Sequence, residues 1–244
     1  MIRLSYKTRK KIVDDIFNKY NISTEDREDI IKVIKPIVRH PEFIRRLTHE
    51  FLHHDKTTLG YHILEDTIVT FKLCKKKKLT KEQTVIAMKI AMLHDLYVSP
   101  WQNNQKAKED KFFNKHGFRH PIEAVVNAIT WFPEFFKDDS EAMIIIDGII
   151  HHMFPFPVMS VDVSNYHDLQ LNNLDSFLKL DDKYKELIYK SCSRKKIKRL
   201  SFAPSSYIEG KLMRKADKIS SLDNFTSLRG IIALVTGINS HIER

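Results

Sequence analysis

Residues 80–95 read TKEQTVIAMKIAMLHD and contain the clearest helix signal in the chain. Thr80 and Gln83 have the spacing of a capping box, which marks the start of a helix. The residues that follow are apolar on nearly all sides of a helix, and this pattern is typical of a buried element. An adjacent pair of polar residues, His94 and Asp95, ends the segment. We therefore expect a central helix that carries a polar pair into the interior.

Helical periodicity continues on both sides of this segment. The pattern predicts two helices in residues 1–40 and further helices over 41–52, 58–75, 121–133, 140–155, 175–196, 206–221 and 222–244. Residues 98–117 and 156–175 are polar and aperiodic, so they predict loops, the second an insertion or a lid. No alternating strand pattern and no internal repeat is evident. The predicted fold class is all-α, a single-domain helical bundle with N-terminal helices (1–51), a core (52–224) and a C-terminal helix (225–244).

Composition restricts the possible partners and the location. Lys and Arg number 41 against 31 Asp and Glu, a formal charge of +10, which favours anionic partners such as nucleotides or nucleic acid. Cys74 and Cys192 are too few for a disulfide framework, so a reducing cytoplasm is expected. No apolar run approaches the roughly 20 residues of a membrane helix, so we expect no signal peptide, no span and no membrane partner.

The histidines are unevenly placed. Eight of the twelve lie between His53 and His152, several at predicted helix ends beside carboxylates. The candidate metal ligands are His62, His94, Asp95, His120, His151, His152 and Asp217. Imidazoles with a few carboxylates suit Mn, Fe, Co, Ni or Zn, and a helical bundle can bring them to one inward site. An Asp next to a His can bridge two ions, and two ions about 3.5–4 Å apart support phosphoester hydrolysis.

These motifs resemble the HD-domain metal-dependent phosphohydrolases, a superfamily named for an adjacent His-Asp pair. The matching segments are Tyr61-His62, Met92 to Leu96, Phe118 to Pro121, Ile150 to Pro155 and Lys215 to Lys218, over roughly residues 52–224. They are most similar to an uncharacterised group common in Firmicutes, and their order is that of the cyclic-dinucleotide phosphodiesterase branch. The resemblance implies an HD-type fold and two divalent ions. It assigns the first ion to His62, His94, Asp95 and Asp217, and the second to Asp95, His120, His151 and His152.

The chain also departs from that pattern. Residues 153–157, MFPFP, stand where the phosphodiesterase branch has its GYP segment, so cyclic-dinucleotide specificity is not implied. Residues 96–98, LYV, replace a Gly-Lys whose lysine faces phosphate in many relatives, so Lys218, Arg119 or a lysine of the basic C-terminal stretch must supply that charge. Thr58 occupies the position of a glutamate found in trinuclear relatives, so two ions are expected.

The sequence allows a second, structural role for several of the candidate residues. His120 precedes Pro121 and can serve the free amides of a helix start. His151 can be an outer donor to another ligand. We expect His53, His54 and His116 to be solvated loop residues. Glu65 and Asp66 follow His62 by three and four residues, so they either orient its imidazole or form the polar face of the helix.

Two functions follow as expectations. The first is a cytoplasmic phosphohydrolase in which a metal-bound hydroxide cleaves a phosphoester of a nucleotide or related small molecule, with Asp95, Lys218 and Arg119 as catalytic residues. Monoester and diester substrates both fit, as does an oxygenase reaction if the metal is mixed-valent iron. The second is a non-catalytic, metal-stabilised module that binds nucleic acid or a nucleotide signal through residues 183–218, which hold twelve Lys and Arg against three acidic residues. The oligomeric state stays open.

Overall fold

The structure is a computed structural model that describes residues 4–53, 57–98, 116–162 and 169–223. Ten α-helices occur in these ranges: α1 (Tyr6–Lys19), α2 (Thr24–Val38), α3 (Pro41–Arg46), α4 (Leu59–Lys76), α5 (Lys81–Leu93), α6 (His116–Trp131), α7 (Asp139–Ile150), α8 (Leu174–Leu178), α9 (Asp182–Cys192) and α10 (Ile208–Asp223). A short 3₁₀ helix spans Pro133–Phe136. The predicted all-α helical class is confirmed.

Local capping sets several of the helix boundaries. The Thr80 side chain accepts from the Gln83 N–H, and the Gln83 side chain accepts from the Thr80 N–H, so the capping box that starts α5 is confirmed. Ser23 caps α2 in the same way through the Asp26 N–H. Pro41 occupies the first turn of α3, where a missing N–H has no cost. These side chains bond amides that the helix itself leaves without partners.

Helix α5 lies at the centre of the fold. It packs against α2, α4, α7 and α10, and the Ile90, Met92 and Leu93 side chains are fully buried. The N-terminal helices α1 and α2 pack on α4 and α5 and contribute to the same continuous apolar core. The end of α5, with His94 and Asp95, is therefore carried into the interior.

Two small sheets correct the expectation that the chain has no strands. In the first, β1 (Leu52–His53) pairs antiparallel with β2 (Thr57–Thr58). In the second, β5 (Leu200–Ser201) lies between β3 (Val158–Met159) and β4 (Lys196–Ile197). Each strand has two residues, which is too short to produce the alternation that identifies a strand in a sequence.

Several predicted boundaries were wrong. Helix α3 ends at Arg46, since the chain then turns into β1, and α7 ends at Ile150 rather than Pro155. Helix α6 begins at His116, so Pro121 lies inside it. The helix expected over 175–196 is two helices, α8 and α9. The lid expected at 156–175 includes β3, and its residues 163–168 lie outside the described ranges, as do most of the 98–117 loop and the 225–244 helix.

Helices α7 and α10 approach each other closely at a pair of glycines. A Cβ built on Gly210 would lie 2.8 Å from the Gly148 Cα and 2.4 Å from the Ser205 Oγ. A side chain at Gly210 would therefore push α10 away from α7, and one at Gly148 would instead meet the Ile90 side chain of α5, 2.6 Å from its Cδ1. The close approach fixes α10, and with it Asp217, against the core. Within the described part of the chain, no helix combines the length and the apolar character that crossing a membrane requires.

Candidate metal centre

Buried imidazoles and carboxylates from six elements meet in the interior. They are His53 on β1, His62 and Asp66 on α4, His94 and Asp95 at the end of α5, His120 on α6, His152 after α7 and Asp217 on α10. All except His53 and Asp217 are buried, and those two are partly buried. Such a set would be costly to bury without compensating interactions.

Asp95 lies between two groups of side chains. Its Oδ2 atom is 3.7 Å from the His94 Nε2 and 3.9 Å from the His53 Nδ1. Its Oδ1 atom is 3.5 Å from the His120 Nε2 and 3.6 Å from the His152 Nε2. One carboxylate oxygen therefore faces each group, which is the arrangement of a bridging ligand.

The first group contains His62, Asp66, His94 and Asp217, whose nearest ligand atoms all lie within 4.8 Å of one another. The His62 Nε2 is 3.1 Å from the Asp66 Oδ2 and 3.5 Å from the Asp217 Oδ1. The His94 Nε2 is 3.6 Å from the same Asp66 oxygen. Ligand atoms about 2.1 Å from one tetrahedral ion lie about 3.4 Å apart, so these separations fit a shared cation.

The second group contains His120 and His152 together with Asp95. The Nε2 atoms of the two histidines are 3.1 Å apart. In each ring the other nitrogen is next to a backbone carbonyl: His120 Nδ1 is 3.1 Å from the His116 oxygen, and His152 Nδ1 is 2.7 Å from the Ile149 oxygen. A carbonyl accepts only, so each Nδ1 donates its hydrogen and each Nε2 carries a lone pair.

The same logic applies to His94, which caps the end of α5. Its Nδ1 donates to the Ala91 carbonyl at 2.8 Å, which leaves the Nε2 as an acceptor aimed at the two groups. The Ala91 carbonyl lies in the last turn of α5, where carbonyls lack partners within the helix, so it can hold the His94 ring in place. This is the outer hydrogen bond by which proteins fix the tautomer and direction of metal-binding histidines.

The electrostatics keep most of these imidazoles neutral. Burial lowers the pKa of His94 to about 4 and also lowers the pKa of His120 and of His152. Burial alone would lower the pKa of His62 as well, but Asp66 and Asp217 raise it to about 9. Burial raises the pKa of Asp95, although His152 opposes the change.

Among the buried atoms of the site without a hydrogen bond from a described residue are the Nε2 of His62 and of His94, the Oδ2 of Asp66 and the Oδ1 of Asp95. Two of them are imidazole nitrogens and two are carboxylate oxygens, all facing inward. A cation among these atoms offsets the repulsion between the carboxylate oxygens and the His94 lone pair. Protonated His62, whose pKa is raised to about 9, supplies that charge without a metal, and a bound metal ion would supply it in place of the proton. The residues therefore fit divalent metal ions of the kind that imidazole and carboxylate ligands prefer.

No family model, curated protein or solved structure matches the chain. The expected relation to the HD-domain phosphohydrolases consequently depends on the motifs quoted above. The convergence of these side chains is a property of the structure and does not depend on the resemblance.

His151 does not join either group. Its Nε2 lies 3.2 Å from both the Ser191 carbonyl oxygen and the Ser191 Oγ, and 3.8 Å from an Asp147 oxygen. Its neighbour His152 points the other way, because His151 forms the C-cap of α7 and the chain turns there. The structure thus separates two adjacent histidines that the resemblance assigns to one ion.

The two predicted cationic residues differ in their surroundings. Lys218 is exposed on α10, and burial of its stem and the nearby Arg214 lower its pKa. Arg119 is buried, and its Nε lies 3.2 Å from Glu123 one turn further along α6. Glu123 also accepts the Asn172 N–H at 3.0 Å, so Arg119 belongs to a contact that holds the segment before α8.

Two histidines differ from the expectation, and a third residue, Asp66, had been left with two interpretations. His53 is not a solvated loop residue: its ring stacks on that of His62 at 3.7 Å, because the β1–β2 pair folds over the start of α4. His116 stacks on His120 at 4.9 Å, and burial lowers its pKa to about 3. Asp66 joins the first group, and its position four residues after His62 was the available signal. His54 lies outside the described residues.

Proposed function

We propose that the protein is a phosphohydrolase that binds two divalent metal ions and cleaves a phosphoester of a nucleotide or a related small molecule. The observation that carries the proposal is the position of Asp95, with one oxygen toward His94 and the other toward His120 and His152. A carboxylate shared by two sets of inward-facing imidazoles is suited to hold two ions a few ångströms apart.

Each ligand has a defined task in this proposal. His62, His94 and Asp217 hold one ion, His120 and His152 hold the other, and Asp95 joins them. When bound, such a pair of ions supplies Lewis acidity and a hydroxide nucleophile at neutral pH. The carbonyls that accept from His94, His120 and His152 keep the coordinating nitrogens aimed inward and unprotonated.

Positive charge for the phosphate comes from the outer turns of α10. Lys218 follows Asp217 directly, and Arg214 lies one turn before it with its guanidinium over the Phe154 ring at 5.0 Å. Cations at this position attract phosphorylated substrates and stabilise the charge that develops on the phosphoryl group. The net charge of +10 supports the same class of substrate.

The experiment measures bound metal and phosphoester turnover in the wild-type protein and in Asp95→Asn. We expect about two equivalents of Mn or a similar ion in the wild type, and loss of both turnover and the second ion in the variant. Asp147→Asn is the control, since Asp147 is equally buried but bonds Ser191, Ser205 and Arg194 rather than the site. A wild-type protein that binds no metal after reconstitution contradicts the proposal.

A second candidate function has one specific observation in its favour. Residues 195–199, KKIKR, are all exposed and comprise β4 and the residues on either side of it. A metal-stabilised module could use this surface to bind nucleic acid without catalysis. In that case RNA or DNA binding would weaken steeply with salt, and Asp95→Asn would change metal content without removing any turnover.

A further inference from the structure

Asp66 is the most deeply buried carboxylate of the site, with 0% of its surface exposed. Its Oδ1 accepts a hydrogen bond from the Ser220 Oγ, which reaches across from α10. Its Oδ2 faces the His62 and His94 Nε2 atoms at 3.1 and 3.6 Å and accepts no hydrogen bond from a described residue. One oxygen is thus anchored, and the other points into the first group.

The direction of approach distinguishes a ligand from a residue that merely orients an imidazole. An orienting carboxylate accepts from the ring nitrogen on the side away from the metal. In His94 that nitrogen is Nδ1, which already donates to the Ala91 carbonyl. Asp66 instead faces the Nε2, the nitrogen that also faces Asp95. The Asp66 Oδ2, which lies within ion-pair distance of the His62 Nε2, is therefore on the metal side of the His94 ring.

We propose that Asp66 is a direct ligand of the first ion and that the two ions are consequently held unequally. The inference rests on the proposed function, because it requires that the site bind metal. The first ion then has two imidazoles and two carboxylates, Asp66 and Asp217, besides the shared Asp95. Among the described residues, the second ion has only His120, His152 and Asp95.

The difference in ligands has two consequences. The additional carboxylate charge strengthens binding of a divalent cation at the first site, so that ion is retained. Among the described residues, three side chains would hold the second ion, and catalytic metal sites with three protein ligands generally keep a position for water or substrate. We therefore expect the second ion to exchange more readily than the first, and it would be the ion able to accept water or a phosphate oxygen.

The test is equilibrium binding of Mn²⁺ and Co²⁺ to metal-free protein, followed by gel filtration in metal-free buffer. The wild type is expected to bind two ions in two affinity classes and to retain about one. Asp66→Asn preserves the size of the side chain and removes its charge. It should weaken metal binding in the higher-affinity class by more than about 100-fold, which exceeds the loss typical of a residue that only hydrogen-bonds a metal ligand. Ser220→Ala removes the hydroxyl that bonds the Asp66 Oδ1 and also lies 3.0 Å from the Asp217 carbonyl oxygen, and it should weaken the same class by about 10-fold or more.

Glu65→Gln is the matched control, because Glu65 is a buried acid next to Asp66 whose oxygen bonds Lys19 and Tyr20 instead. It should leave both classes unchanged. Two ions in the wild type with an unaltered tight class in Asp66→Asn would overturn the role of Asp66 and leave the proposed function standing. No metal in the wild type would overturn both.

The visible absorption of bound Co²⁺ provides a readout that does not depend on affinity. A ligand role requires that the spectrum of the tight site change in Asp66→Asn, and a spectrum identical to that of the wild type contradicts it. If Asp66→Asn does not fold, Asp66→Glu takes its place, since it keeps the charge but moves the oxygen. An unchanged spectrum and affinity in that variant would also refute the assignment.

Discussion

The pair His151 and His152 offers a test in which one residue controls for its neighbour. The His152 Nε2 lies 3.6 Å from the bridging carboxylate of Asp95 and 3.1 Å from the His120 Nε2. The His151 Nε2 lies 3.2 Å from Ser191 and joins neither group of ligands. We therefore expect His152→Asn to lose the second ion and His151→Asn to keep it.

The magnitude follows from the number of ligands. His152 is one of three described side chains at the second site, so its loss should raise the Kd of that ion by at least about 100-fold, or about 2.8 kcal/mol. At a metal concentration ten times the wild-type Kd, occupancy falls from about 0.9 to about 0.1. His151→Asn should instead cost about 1–3 kcal/mol of folding free energy, because buried partners on Ser191 lose their bond.

The assays are metal titration by calorimetry and urea denaturation of the metal-free proteins. Loss of the second ion in His151→Asn, with His152→Asn binding normally, would refute the geometry described above. It would make His151, and not His152, the ligand of the second ion. Equal loss in both variants would mean that both histidines contribute to the second ion.

Three further results are expected. Asp147→Asn should destabilise the protein by about 1–3 kcal/mol in urea denaturation with metal content unchanged, since the Ser205 hydroxyl and the Ser206 N–H lose a charged acceptor; an unaltered midpoint contradicts this. Gly210→Ala should cost about 2 kcal/mol, because its Cβ would meet Gly148 2.8 Å away, and thermal unfolding at the wild-type temperature would refute the tight crossing. Metal binding at pH 7 should release at least one proton, since His62, whose pKa is raised to about 9, must lose its proton to coordinate. Affinity should therefore rise with pH and level off above pH 9, and calorimetry in buffers of different ionisation enthalpy measures the proton count.

Most of the helical framework could be predicted because its signals are local. The capping box of Thr80 and Gln83, the serine cap of α2 and the apolar stripes all act within a few residues of chain. The errors fall where long-range packing decides. The two-residue strand pairs have no local pattern, and α6 begins five residues before Pro121, which local rules place at a helix start.

Some residues of the candidate site could be predicted from the sequence, and others could not. Chemistry and order in the sequence were enough to select His62, His94, Asp95, His120, His152 and Asp217 as candidates. They were not enough to exclude His151 from the two groups, because neighbours in sequence can point in opposite directions where a helix ends. Nor could they include His53, whose position depends on the pairing of β1 with β2.

By itself the sequence determined the helical class, the central helix and the types of side chain that the interior must hold, because caps and periodicity are properties of short segments. Tertiary structure alone decided which nitrogen of each imidazole faces inward and which carboxylate joins the first group. Those outcomes depend on the carbonyls of Ala91 and Ile149, on the Ser220 hydroxyl from another helix and on the close crossing at Gly148 and Gly210. Contacts between distant segments set them, and no short segment contains that information.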